Sequence, residues 1–322
     1  MGHDSFILSN FLRTNRRMDE LSGLLNLFGY NLTTLPDLPP NVQRLWCTNN
    51  YLRELCPLPC SLISLRCEYN FLTCLPPLPD TLETLMCSEN QLFSLPKLPK
   101  SLLCLMCTNN PIGELPPLPT NLDTLECSEN LLVSLPKLPL SLRTLICQKN
   151  ELTLLPSLPD GLEELSCEEN SLTCLPTLPD SLVSLLCDFN ELTILPNLPH
   201  GLIALHCGYN HFQTLPFLPV TLRQIDLRGN DLAEPFHTLY HTHALEKRNI
   251  PQFVAEVNRV LLERERKTKI RAMGRNIRHL CAISESLPLS NDVLVRIGTS
   301  LSGALGASCR DQMEQLQREH GT

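Results

Sequence analysis

The sequence has few aromatic and glycine residues and no long apolar run. Aromatic side chains make up 5% of its 322 residues, and it has 13 glycines against 27 prolines. Such a bias is typical of a patterned architecture rather than of an average globular domain. Because no uninterrupted apolar run approaches the roughly 18 residues that a membrane-spanning helix requires, we expect no stable membrane insertion.

An excess of positive charge is also missing. The net charge is −8, whereas a general nucleic-acid-binding protein presents a basic field to the phosphate backbone. Residues 231–322 carry 13 Lys+Arg and 11 Asp+Glu, a balance of +2, so residues 1–230 carry −10. Nucleic acid is therefore not an expected partner, and the negative charge belongs to the first part of the chain.

The motifs of catalytic and cofactor-binding sites are missing as well. The sequence shows no Gly-rich phosphate loop, no nucleophile elbow and no recognisable Ser/His/Asp arrangement. His237, His241 and His243 have a spacing that suits a metal on one helical turn, but a surface or capping role is favoured. We expect no catalytic residue, no cofactor and no metal site.

What the sequence does contain is a repeat of 20 residues. From Leu35 to about Leu232 the pattern xLxxLxCxxNxLxxLPxLPx recurs, after a degenerate copy that retains Leu25, Leu27 and Leu32. Repeats of 20–29 residues built on LxxLxLxxN are the leucine-rich-repeat signature. The repeats begin at Asn41, Ser61, Thr81, Ser101, Asn121, Ser141, Gly161, Ser181, Gly201 and Thr221.

The spacing within one repeat predicts its structure. In "LETLMC", Leu85 and Cys87 alternate with Met86, as in a short strand with two inward residues and one outward residue. Asn90 then suits a turn, and "LPKLP" favours an extended, polyproline-like path because its prolines cannot continue a helix. The sequence predicts an α/β solenoid, a leucine-rich-repeat horseshoe of about ten parallel strands on the concave side with extended segments on the convex side.

A cysteine occupies the second inward position of nine repeats. Free cysteine packs as a small hydrophobe, and a straight column of thiols does not converge on a metal ion. We expect no standard secretory signal at the N-terminus, so the sixteen cysteines are predicted to be reduced thiols. The column is therefore interpreted as core packing, and it consists of Cys47, Cys67, Cys87, Cys107, Cys127, Cys147, Cys167, Cys187 and Cys207.

The first and last turns of a solenoid expose its apolar core unless capping segments cover them. Residues 1–24 have an amphipathic pattern and are predicted to form an N-terminal helical cap, followed by the solenoid at 25–232. Residues 233–322 lose the proline repeat, and Pro251 marks the start of a helical apolar period. A C-terminal helical domain is therefore expected over 233–322.

The outward positions of the strands are the candidate binding surface. Half of them are large and apolar, although they should face water, and a continuous apolar stripe indicates a partner site. The alternative is that flanking side chains or a terminal domain cover the stripe. Acidic residues in the middle repeats would attract a basic partner surface, or serve solubility alone. The predicted partner-binding residues are Trp46, Arg66, Tyr69, Met86, Met106, Glu126, Ile146, Leu186, Phe189, His206 and Tyr209.

The repeat "LPxLPxxLxxLxCxxNxLxxLP" resembles the short-repeat leucine-rich-repeat effectors of intracellular bacterial pathogens, over about 210 of the 322 residues. The resemblance implies a non-catalytic, monomeric protein that binds a host or co-delivered protein. It further implies secretion by a specialised bacterial system into the host cytoplasm. An endogenous cytoplasmic scaffold of the organism itself is an alternative.

Some members of that family carry a ubiquitin-ligase domain with a catalytic Cys-x-Asp motif. Cys309 and Asp311 form the one such tripeptide in this chain, 77 residues beyond Leu232. Cys309 also continues a helical stripe of Leu301 and Leu305, which favours a packing role. A diverged or truncated ligase using Cys309 is therefore the alternative, and protein binding without catalysis is the expected function.

Overall fold

The computed structural model describes residues 23–35, 37–244 and 249–286. The chain divides into two compact units, Met1–Leu261 and Leu262–Thr322. The predicted N-terminal helix and the Cys309 region lie outside the described residues. The domain boundaries 1–24, 25–232 and 233–322 therefore stay predictions.

The first unit contains one parallel sheet whose strands follow one another in chain order. Each strand has three residues, and neighbouring strands pair residues that are 20 apart, such as Leu85 with Leu105. The predicted leucine-rich-repeat solenoid is confirmed, with one strand more than expected because the degenerate first copy also forms a strand. The strands are β1 (Leu24–Asn26), β2 (Arg44–Trp46), β3 (Ser64–Arg66), β4 (Thr84–Met86), β5 (Cys104–Met106), β6 (Thr124–Glu126), β7 (Thr144–Ile146), β8 (Glu164–Ser166), β9 (Ser184–Leu186), β10 (Ala204–His206) and β11 (Gln224–Asp226).

The inward side of the sheet forms a continuous apolar core. In each regular repeat the middle strand residue, for example Leu125, and the following cysteine, Cys127, are fully buried. All nine cysteines of the predicted column are buried in this way, which confirms their packing role. Cys60, Cys74 and Cys174, which lie outside the column, are exposed.

A column of asparagines joins each turn of the solenoid to the one before it. The Asn130 side-chain amide donates hydrogen bonds to the carbonyls of Cys107 and Cys127, both at 3.1 Å. Its Oδ1 accepts a hydrogen bond from the backbone N–H of Ile112 at 3.2 Å. Buried backbone groups that a three-residue strand leaves open are thus satisfied by the side chain of a neighbouring turn. The same arrangement recurs at Asn50, Asn70, Asn90, Asn110, Asn150, Asn170, Asn190, Asn210 and Asn230.

The segments between the strands contain turns and extended chain and no helix from residue 27 to residue 233 within the described part of the array. Hydroxyl groups at the first position of many repeats bridge to the preceding turn, as where Ser141 donates to the carbonyl of Leu122 at 2.6 Å. Leu95 and Leu98 of one "LPxLP" segment are buried against the core. The predicted extended convex path is confirmed.

Helical structure follows the last strand. A short helix α1 (Phe236–Leu239) continues into a π-helical turn at Tyr240–Ala244, and a long helix α2 spans Ile250–Ser286. In the first unit, Asn258 of α2 accepts a hydrogen bond from the Leu218 N–H at 2.9 Å and donates one to the Leu218 carbonyl at 2.8 Å. The Tyr240 hydroxyl accepts a hydrogen bond from the N–H of Leu227. The described start of this region therefore closes the apolar end of the array.

No helix among the described residues has both the length and the apolar character of a membrane span.

Candidate functional site

The third residue of each strand from β2 to β11 points away from the core, on the concave side of the solenoid. We call these residues the outward row. Their position follows from strand alternation, because the residues before and after them in the chain are both buried. All are partly exposed except one serine. The row consists of Trp46, Arg66, Met86, Met106, Glu126, Ile146, Ser166, Leu186, His206 and Asp226.

The first four residues of the outward row are apolar apart from one cation, Arg66. Strand register places Trp46 beside Arg66 and Met86 beside Met106. The Arg66 guanidinium carbon lies 4.9 Å from the centre of the Trp46 ring, which is a cation–π contact. The sequence-predicted residues of these strands are therefore neighbours on one surface and not isolated exposed side chains.

The three predicted aromatic residues outside the strands occupy a second row. Tyr69, Phe189 and Tyr209 each precede a ladder asparagine and are exposed, with left-handed φ angles of 54°, 55° and 51°. The turn imposes this conformation, which residues other than glycine adopt at a cost. The Phe189 and Tyr209 rings stack with centroids 4.3 Å apart. At Gly229, the next position of the row, a Cβ would lie 2.6 Å from the Tyr209 ring, so glycine gives that ring its space.

The middle of the outward face is acidic. The pKa of Glu126 is raised by burial and by the charge of Glu164. Burial likewise raises the pKa of Asp188 to about 6, with smaller contributions from Asp226 and Glu168, while the Gly208 N–H and His206 oppose the increase. These shifts show carboxylates that lack full compensation in the described structure.

Several other acidic residues of the middle repeats are neutralised. Arg143 forms ion pairs with Asp123 and Glu163 on the neighbouring turns, and the Lys149 amine lies 2.9 Å from the Glu129 carboxylate. Among the described residues, the acidic cluster expected from the sequence therefore separates into rim carboxylates that form ion pairs and a central group, Glu126, Glu164 and Asp188, that forms none.

Sequence reasoning missed two features of this unit. Tyr51 and Phe71, each directly after a ladder asparagine, form a second exposed aromatic pair with ring centroids 6.2 Å apart. Ser166 is buried where the other repeats carry larger, partly exposed side chains, and Ser128 is buried although the equivalent Ser88 is partly exposed. The 20-residue period could have identified the aromatic pair, whereas the burial of the two serines depends on the size of neighbouring side chains.

A metal site is not formed in the described part of the chain. The His237 and His241 rings lie with centroids 4.3 Å apart at an interplanar angle of 47°, but no group of three or more potential ligands converges among the described residues. Cys309, the alternative catalytic residue, lies outside the described residues.

The sheet, the asparagine column and the outward row define a leucine-rich-repeat solenoid, and known structures of this class are similar to the chain. YopM, a leucine-rich effector protein from Yersinia pestis, is 31% identical over 72% of this chain and 84% of its own, with a TM-score of 0.49. The leucine-rich-repeat domain of a Shigella effector is 30% identical over 64% and 74%, with a TM-score of 0.39. YopM from Yersinia enterocolitica WA-314 is 33% identical over 63% and 59%, with a TM-score of 0.43.

On the identity and coverage of the Yersinia pestis protein, the chain belongs to the family of leucine-rich-repeat proteins that these bacterial effectors represent. It spans 59% of the Yersinia enterocolitica chain. Comparisons with protein-family models and with curated proteins gave no match.

Proposed function

We propose that the protein is a non-catalytic interaction module that binds another protein through its concave face. The observation that carries this proposal is the outward row, in which Met86, Met106, Ile146 and Leu186 remain partly exposed on strands of a single sheet. Met86 and Met106 are direct neighbours, and a concentration of partly exposed apolar side chains on one sheet face is typical of a partner site. Methionine adapts to different partner shapes.

Aromatic residues extend the proposed site at its edges. Trp46 with its Arg66 contact lies toward one end, and the stacked Phe189 and Tyr209 lie toward the other. Tryptophan, tyrosine and arginine are the residue types that most often dominate binding energy at interfaces. The whole set of predicted partner-binding residues therefore stays in the proposal.

The partner is proposed to present a basic surface to the middle of the row. Glu126 lies near Glu164, and His206 lies near Asp188. The pKa values of Glu126 and Asp188 are both raised, as expected for carboxylates whose negative charge is not fully compensated. Complementary charge speeds encounter and suppresses wrong partners more than it tightens binding.

The family relationship supports an effector role. The Yersinia pestis relative is a leucine-rich effector protein, and we propose that this chain likewise acts, as a monomer, after secretion from a bacterium into a host cell. There it would block or scaffold a host or co-delivered protein.

The proposal is tested by affinity capture from eukaryotic cell lysate with three forms of the full chain. The test variant is Met86→Arg/Met106→Arg. The matched control is Leu140→Arg/Val220→Arg, because these side chains are 83% and 80% exposed and lie outside the strands. We expect a specific protein to be retained by the wild type and the control and lost by the test variant. Equal retention by all three forms would place the binding site elsewhere on the chain.

A further inference from the structure

Two buried serines lie in the middle of the concave face. Ser166 is 3% exposed, although the other members of the outward row are partly exposed. Ser128 is 2% exposed and follows Cys127 on the same alternation that turns Glu126 outward. Larger neighbouring side chains cover both serines, and we call the surface over β6 to β8 that includes Glu126, Ser128, Gln148, Ser166 and Glu168 the recess.

The floor of this recess has an unused polar group. The Ser128 hydroxyl is buried and has no hydrogen-bond partner among the described residues. An unsatisfied buried hydroxyl destabilises the folded protein. Because alternation places it on the same side as Glu126, a polar ligand on the concave side can satisfy it once the side chains that cover it move aside.

The other side of the recess has more acceptors than donors. The Ser166 hydroxyl lies 3.3 Å from Gln148 Oε1 and 2.5 Å from Glu168 Oε2, but it has one hydrogen to donate. One of the two acceptors is therefore left open at any moment. The recess lacks N–H donors rather than acceptors.

Negative charge surrounds the recess without an internal counter-ion. Arg143 and Lys149, the cations on the adjoining turn, form their ion pairs with rim carboxylates. In the described part of the chain no cation forms an ion pair with Glu126, Glu164 or Glu168. The charge, the open acceptors and the buried hydroxyl all require the same ligand chemistry, a cation with several N–H groups.

We propose that Glu126, Ser128, Gln148, Ser166 and Glu168 form a subsite for one arginine side chain of the partner protein. This inference rests on the proposed function and specifies the chemistry of its central contact. The guanidinium carries five N–H donors in a plane, which suits two carboxylates on either side of an open amide oxygen. A lysine ammonium is a compact point charge with three donors and fits this arrangement less well.

The spacing of the strands also favours the guanidinium. Glu126 and Ser166 lie on strands separated by β7, so their backbones are about 10 Å apart at the usual spacing of about 4.8 Å per strand. Ile146 lies between them and offers an apolar surface to the aliphatic stem or to the face of the guanidinium.

The test measures the binding of three blocked five-residue peptides to the full chain by ligand-observed NMR. Each peptide has one central residue between glycines, which is arginine, lysine or the neutral isostere citrulline. We expect a millimolar dissociation constant for the arginine peptide, at least about threefold weaker binding for lysine, and no measurable binding for citrulline. Absence of arginine-peptide binding, or equal binding of citrulline, would overturn the proposal.

The variants locate that binding. Glu126→Gln/Glu168→Gln should weaken the binding of the arginine peptide at least tenfold. The control Glu151→Gln/Glu191→Gln removes the same charge from exposed positions outside the strands and should change the constant less than twofold. Ser166→Leu, which fills the recess without a change of charge, should also weaken binding about tenfold, while thermal unfolding shows that each variant is folded. Equal weakening by both charge variants would mean that general electrostatics, and not this recess, binds arginine.

The result is separable from that of the proposed function. If Met86→Arg/Met106→Arg abolishes partner capture while the arginine peptide does not bind, the concave-face proposal stands and the arginine subsite is wrong. If the peptide binds as expected but capture is unaffected by the methionine variant, the subsite stands and the apolar stripe is not the main partner contact.

Discussion

The two sides of the same strands follow opposite rules. On the inward side, leucine and cysteine recur with hardly any change, and their side chains are fully buried. On the outward side, the equivalent position changes from Trp46 through Met106 and Glu126 to Asp226. The inward residues of each three-residue strand thus form the core that stabilises the fold, whereas the outward residue can vary without changing that core.

The comparison explains how so short a repeat can be both stable and specific. The inward residues and the asparagine column satisfy apolar and polar requirements within neighbouring turns, so each turn contributes independently of the outward residue. Substitutions should therefore have large effects on the inward side and small effects on stability on the outward side.

The largest expected difference is in thiol reactivity. Burial raises the pKa of Cys107 and of Cys147 to about 12 from the ordinary value of 9.0. At neutral pH this lowers the reactive thiolate fraction about 1000-fold, and burial also blocks access. In the native protein, iodoacetamide should modify the exposed Cys60, Cys74 and Cys174 while the inward column stays unmodified, as measured by peptide mass spectrometry. Modification of the column at the same rate without unfolding would contradict the account.

Asn130→Ala should be the most destabilising single change among these predictions. It removes hydrogen bonds to the Cys107 and Cys127 carbonyls and leaves the N–H of Ile112 without its acceptor. Unsatisfied buried polar groups cost about 1–3 kcal/mol each, so we expect a loss of about 4 kcal/mol in the free energy of unfolding. Urea denaturation measures it, with Asn197→Ala on a convex segment as the control. A loss below about 1 kcal/mol would show that water replaces the side chain.

Leu125→Ala tests the inward side by packing alone. The side chain is fully buried in the middle of the array, and its loss should cost about 3 kcal/mol, as large-to-small core substitutions do. Met106→Ala, on the outward side of the adjacent strand, should change the free energy of unfolding by less than about 0.5 kcal/mol. Equal losses in the two variants would remove the distinction between the faces.

Asp188→Asn should stabilise the protein, because burial disfavours the ionised form of this outward carboxylate. The folded pKa of about 6 exceeds the ordinary 3.8, so the folded state binds more protons between these values. This contribution therefore lowers stability as pH rises from about 4 to about 6, by about 1–2 kcal/mol once partial exposure is allowed for.

The asparagine variant avoids that penalty and keeps an acceptor for the Gly208 N–H. It should be more stable than the wild type by about 1–2 kcal/mol at pH 8 and equal to it at pH 4, in urea denaturation. Asp180→Asn, an exposed position outside the strands, is the control and should show no such difference. A wild-type advantage at pH 8 would contradict the assignment of Asp188 as destabilised by burial.

The inward side could be predicted almost residue by residue from the sequence. The period fixed which leucines, cysteines and asparagines face the core, since strand alternation admits one register. The left-handed backbone at Tyr69 was not predicted, because no glycine or proline marks that position. The recess at Ser128 and Ser166 was also missed, because the burial of these serines depends on side chains from three turns. The Asp123–Arg143–Glu163 chain of ion pairs could have been found, since these residues are 20 apart.

The most direct measurement of the central claim combines stability and binding on one variant. For Met106→Arg, the free energy of unfolding and the retention of the partner captured from lysate are measured side by side. The division between the two faces predicts an unfolding free energy within about 0.5 kcal/mol of wild type and loss of the partner. Full retention of the partner by the folded variant, or unfolding of the variant itself, would contradict it.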